Sequence, residues 1–124
     1  RHTRLRTVTG VQTCALPIFE LDVMIPAVGQ GAIGVECRAA DAETRRVLAA
    51  IQHAETRACV DAERAFLRAL GGGCQVPYPA HGRVIAGKLH LVGARFEATT
   101  RRGEVTGTLE QAEALGGALA RQLA

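Results

Sequence analysis

One stretch, Gly71-Gly72-Gly73-Cys74-Gln75-Val76-Pro77, divides this chain in two. Before it, apolar residues recur at helical spacing; beyond Pro77 and Pro79 they fall into short alternating runs. Helices followed by strands predict an α+β fold with a small three-stranded antiparallel sheet. Gly71 is a natural helix stop. Glycine also adopts backbone conformations closed to other residues, so the loop can present Cys74 away from the body of the domain. At 124 residues there is room for one small domain, and with aromatic residues at only 3% the core must be built largely from Ala, Leu and Val.

The segments on either side can be placed more closely. Ala32-Ile33-Gly34-Val35-Glu36-Cys37 reads as a short strand that ends at Arg38-Ala39-Ala40-Asp41. Asp41 is a helix N-cap, because its carboxylate can accept a free backbone N–H, and Val47, Leu48 and Ile51 follow at helical spacing. Gln52-His53-Ala54 breaks or bends that helix, and a second runs from about Ala54 to Leu70. Ala58, Val60, Phe66 and Leu67 form its apolar side, while Glu55, Arg57, Asp61, Glu63, Arg64 and Arg68 fill its outer faces. Acidic residues early and arginines late suit the helix dipole, at roughly 0.3–1 kcal/mol per charge. Next come a short strand at Val84-Ile85, a turn at Ala86-Gly87 and a strand from Leu89 to Phe96. Thr99 to Gly103, including Arg101-Arg102, reads as a solvated turn before a third strand, Glu104–Gly107. A last helix starts near Thr108 and carries Leu115, Leu119 and Leu123 on one face.

Charge and cysteine usage remove several function classes. The formal net charge is +3, but Arg1, Arg4 and Arg6 account for all of it, which argues against a nucleic-acid partner. No apolar run is long enough to span a membrane, and the basic start lacks the apolar core of a signal peptide. Cys14, Cys37, Cys59 and Cys74 form no C-x-x-C pair, so neither zinc nor a disulfide framework is expected. Reduced thiols in a cytoplasmic setting are expected instead. His81 and His90 show no metal-ligand spacing, and His53 and Glu55 read as capping or surface groups.

Two groups can carry chemistry. Most free cysteines are small buried apolar residues. The glycines before Cys74 and the Gln-Val-Pro after it point instead to a nucleophile or an attachment point. A helix C-terminus disfavours a thiolate, and no His–Asp pairing supports one, which counts against a stand-alone thiol enzyme. Gly29-Gln30-Gly31 is the second group. Glycines let backbone N–H groups approach a ligand, and the Gln30 amide both donates and accepts. Cys37 and Cys59 read as core or face residues.

The run Ile25-Pro26-Ala27-Val28-Gly29-Gln30-Gly31-Ala32-Ile33-Gly34-Val35-Glu36, taken with Gly71–Pro77, resembles the hydroxymethylbilane synthase (porphobilinogen deaminase) family. The resemblance runs from about Met24 to the C-terminus and matches the last third or so of a family member. It implies that Cys74 carries a covalent dipyrromethane cofactor through a stable thioether, formed once with an electrophilic pyrrole-methylene species. It also makes Gln30 and Gly31 candidate ligand contacts, and it implies head-to-tail condensation of four porphobilinogen molecules with loss of ammonia. Residues 21–38 would be the end of a second, α/β domain, and residues 39–124 the C-terminal cofactor-attachment domain. The family's protonating aspartate and substrate-binding arginines belong to domains this sequence does not contain, so the chain alone is expected to lack turnover. A cytoplasmic monomer with porphobilinogen and the growing oligopyrrole as partners is expected of the full-length enzyme. Val8–Ile18 resembles the conceptual translation of a sequencing-adapter oligonucleotide over all eleven residues, so residues 1–20 are expected to be an irregular leader and the gene truncated upstream. The competing reading is a non-enzymatic α+β module that binds a ligand or a partner.

Overall fold

Asp41 opens the first helix as its residue type predicts. In this computed structural model, which describes residues 19–73 and 76–124, one Asp41 oxygen accepts the Thr44 N–H at 2.9 Å and the other its hydroxyl at 2.8 Å. The helix, α1, spans Ala42–Ala49 and buries none of its residues. His53 caps the second, α2 (Ala54–Ala69), by accepting the Thr56 N–H through Nδ1. The expected leader up to residue 18, with Cys14, and also Cys74 and Gln75, lie outside the described residues.

Three strands follow: β1 (Ala80–Ile85), β2 (Lys88–Arg95) and β3 (Arg101–Gly107), antiparallel in the order β1-β2-β3. The β1–β2 hairpin closes on Ala86-Gly87 with φ of 49° and 73°. Two positive φ values give the turn whose twist matches its flanking strands. A short 3₁₀ turn (Leu109–Gln111) leads into α3 (Ala112–Leu123), and the Gln111 side chain accepts the Thr108 N–H at 3.0 Å.

The sheet packs against α2 and α3, and Phe66, Leu89, Leu91 and Leu119 are the largest fully buried side chains. Each contributes about 1.5–3 kcal/mol of burial. Small residues let the layers close up around them. A Cβ at Gly116 would lie 2.3 Å from the Ala62 carbonyl oxygen, so α3 crosses α2 almost backbone to backbone. A Cβ at Gly82 would lie 3.0 Å from the Cys59 Cα, so β1 also lies close against α2.

Three local expectations are corrected. Ala32–Cys37 is not a strand, and Ile33 is 95% exposed. Alternation specifies a face, but a strand exists only with a ladder partner, and the described residues offer this segment none. Arg101-Arg102 is not a turn: the two residues open β3 opposite Arg95 and Ala94, and the turn falls earlier, at Glu97–Thr99. The Arg102 guanidinium donates to the carbonyls of Asp22 at 2.5 Å and Leu21 at 2.7 Å. Glu63, finally, is not on an outer face; it is one of the buried residues of α2.

Candidate functional site

Each of the three glycines before Cys74 has a different role. Gly71 has φ of +68°, its N–H donates to the Arg68 carbonyl at 3.0 Å, and the Gly72 N–H donates to the Leu67 carbonyl at 2.9 Å. This is the Schellman ending, in which a left-handed residue satisfies the last open carbonyls of a helix. At Gly72 a Cβ would lie 2.6 Å from Leu67 Cδ1 and 2.8 Å from Val76 Cγ2, so the loop's two arms touch there. At Gly73 a Cβ would have nothing within 4 Å. Among the described residues, none beyond its chain neighbours comes that close to the Gly73 side of the loop.

The far arm is tied to the end of β2. The Val76 N–H donates to the Gly73 carbonyl at 3.2 Å, joining the chain on either side of Cys74 and Gln75. Phe96 donates its N–H to the Pro77 carbonyl at 3.2 Å, and Ala94 donates to that of Pro79 at 3.0 Å. The Tyr78 hydroxyl donates to the Glu97 carboxylate, which Arg95 also holds at 2.8 Å while lying 5.7 Å from the Tyr78 ring centroid. The Tyr78 hydroxyl, and then Arg95, hold the Glu97 carboxyl below its ordinary value.

The second candidate group is held by the residue that pattern reading misplaced. Gly29 and Gly31 have φ of +73° and +81°, and Gln30 and Gly31 are exposed at the tip of their loop. Beneath it the Glu63 side chain, 6% exposed, accepts the Gly29 N–H at 2.6 Å on Oε2 and the Gly82 N–H at 2.7 Å on Oε1. His81 Nδ1 lies 3.9 Å from Oε1. Helical periodicity contains the missed signal: Glu63 stands in one stripe with Cys59, Phe66 and Leu70. A carboxylate in an apolar stripe must find donors, and nothing local in the sequence says that they come from Gly29 and Gly82.

A cleft of about 290 Å³ opens here, lined by Gln30, Gly31, His53, Cys59, Glu63 and His81 among others. Burial, and after it the charges of Glu63 and Glu55, push the Cys59 thiol up, so it is a poor nucleophile. The structure therefore brings Gln30 and Gly31 together at the rim of one cleft. Gly73 and Val76, which bracket Cys74, do not line it. Among the described residues no set of three His, Cys, Asp or Glu side chains could hold a metal ion, and no helix is long and apolar enough to cross a membrane.

Comparison with known proteins adds what the geometry lacks. The family model "Porphobilinogen deaminase, C-terminal domain" matches residues 57–124. A second, "Porphobilinogen deaminase, dipyromethane cofactor binding domain", matches residues 3–46. The chain is 44% identical over 108 residues to a porphobilinogen deaminase of Pelobacter propionicus. That alignment covers 85% of this chain and 35% of the relative, so the chain spans about a third of the length of the curated protein it matches.

Proposed function

This chain belongs to the porphobilinogen deaminase family, and from that premise we propose that it is the C-terminal part of a hydroxymethylbilane synthase, a transferase of tetrapyrrole biosynthesis. The proposed reaction condenses four porphobilinogen molecules head to tail, with loss of ammonia at each step. The observation that carries the reading is the match over residues 57–124, which spans the whole of the Cys74 loop. In the proposed division, residues 39–124 are the cofactor-attachment domain, 21–38 end the domain before it, and 1–20 are a leader, of which residues 3–20 fall inside the match to the second family model.

Cys74 is the proposed attachment point of a dipyrromethane. The residues around it suit such a group: Gly71 and Gly72 fix the base of the loop, and no described residue beyond its chain neighbours would crowd a side chain at Gly73. When bound, the dipyrromethane supplies the pyrrole from which the chain is extended. Gln30 and Gly31 are the proposed contacts to pyrrole carboxylates, since both are exposed at the loop tip and the Gln30 side-chain amide supplies an N–H donor there. In this part of the molecule the residues bind and orient; proton transfer is assigned to the missing domains. The 124-residue chain by itself is therefore expected to show no turnover.

The test uses the full-length protein. A mass increment on the Cys74 peptide that survives reductant, together with loss of activity in Cys74→Ser, is the expected result. An active Cys74→Ser enzyme would sink the attachment proposal. Specific capture of a ligand or partner by a chain in which Cys74 stays unmodified would favour the non-enzymatic module.

A further inference from the structure

We infer that Glu63 is a positioning residue that fixes the Gln30–Gly31 loop to the same helix that delivers the Cys74 loop. The inference rests on the proposed role of Gln30 and Gly31 as substrate contacts.

Glu63 lies within α2, and its two oxygens are committed in different directions, one to Gly29 and one to Gly82 of β1. The Gly29 N–H is the only group of the loop bonded to α2 among the described contacts; the loop's other bonds, Gln30 to Ala27 and Ala32 to Gly29, are internal to it. Beyond Gly31 the chain runs exposed through Ala40. Packing therefore does not hold the loop on its far side; on its near side Val28 packs against the core, and the carboxylate ties Gly29 itself to α2. From Glu63 to the Schellman turn at Gly71 the helix advances about 12 Å, at 1.5 Å per residue. A helix does not stretch, so the loop's tie point and the base of the Cys74 loop keep a fixed separation along it.

A carboxylate is suited to this task because it has two acceptor oxygens and no hydrogen to misdirect. The amide introduced by Glu63→Gln matches its shape, but the NH₂ would face one of the two N–H donors. The substitution thus releases either Gly29 or Gly82 while leaving the volume of the site intact. Misplacing a binding loop by about 1 Å costs up to roughly a hundred-fold in rate.

The experiment compares Glu63→Gln, Gln30→Ala and Gly116→Ala in the full-length enzyme, measuring KM and kcat for porphobilinogen and the cofactor mass on Cys74. Gly116 lines no part of the cleft but presses on α2 at Ala62, so its variant reports a disturbance of that helix with the Glu63 carboxylate still present. The expected result is a rise in KM of roughly ten-fold or more for Glu63→Gln and Gln30→Ala, with Cys74 still loaded and Gly116→Ala unchanged in KM. If Gln30→Ala raises KM and Glu63→Gln does not, or if Gly116→Ala raises it as much as Glu63→Gln, the positioning role is overturned while the loop's contact with substrate stands. If Gln30→Ala leaves KM unchanged, the substrate-contact reading fails and the inference goes with it. Should Glu63→Gln not fold, amide exchange in the unaltered enzyme decides. Gly29 and Gly82 exchanging slowly and together supports the tie; Gly29 exchanging as an open loop while Gly82 is protected overturns it.

Discussion

Gly29 donates its N–H to the Glu63 carboxylate at 2.6 Å across 34 residues of sequence, and the carboxylate's other oxygen holds β1 at Gly82. Replacing Glu63 with Ala removes both acceptors. A buried donor left without a partner costs about 1–3 kcal/mol, so Glu63→Ala is expected to destabilise by at least that much. Urea unfolding of wild type and variant measures it; a change within about 0.5 kcal/mol, the range of ordinary surface substitutions, would mean the bonds contribute nothing net.

Gly116 and Gly117 are neighbours in α3 with opposite expected behaviour. A Cβ at Gly116 would meet the Ala62 carbonyl oxygen at 2.3 Å and Ala65 Cβ at 2.6 Å, whereas at Gly117 its nearest contact is Arg121 Nη1 at 3.5 Å. Gly116→Ala should destabilise by about 1–3 kcal/mol through overpacking. Gly117→Ala should stabilise by roughly 0.5–1 kcal/mol through helix propensity. Thermal melts of the pair give the signs directly.

Cys37 is exposed, and Cys59 is half-buried with its thiol pushed up by burial and by Glu63 and Glu55. In the folded protein iodoacetamide should modify Cys37 well before Cys59. A peptide-mapped time course checks the order. Equal rates would show that α2 opens readily at Cys59.

The Asp41 cap titrates in a defined direction. Its bonds from Thr44, the backbone N–H first and then the hydroxyl, lower its carboxyl below the ordinary 3.8. A carboxyl lowered on folding stabilises fully above 3.8 and loses that contribution as pH falls through the lowered value. Protection of the Thr44 amide should therefore be constant from neutral pH down to about that point and fall below it. Asp41→Asn, which caps without titrating there, should flatten the profile. A pH-independent Thr44 amide in the wild type would contradict the cap.

The sequence by itself determined the element order from the Asp41 cap onward and the large apolar side chains of the core. Leu119 and Leu123 at four-residue spacing, the alternation of Leu89 and Leu91, the Asp41 cap and the Gly71 stop each follow from local physics: side-chain period, an acceptor beside free N–H groups, a residue free of the Cβ penalty. The two glycine motifs were legible in the same way. What tertiary structure decided were matters of partnership between distant segments. Ile33 and Val35 alternate like a strand but lack a ladder among the described residues. Arg101 and Arg102 look like a turn but pair with Arg95 and Ala94. Glu63 looks like one more surface charge of α2, yet it is buried because Gly29 and Gly82 arrive from elsewhere with the N–H groups it needs. Periodicity along one helix cannot encode that, because hydrogen-bond partners are chosen by which backbones the fold brings within about 3 Å.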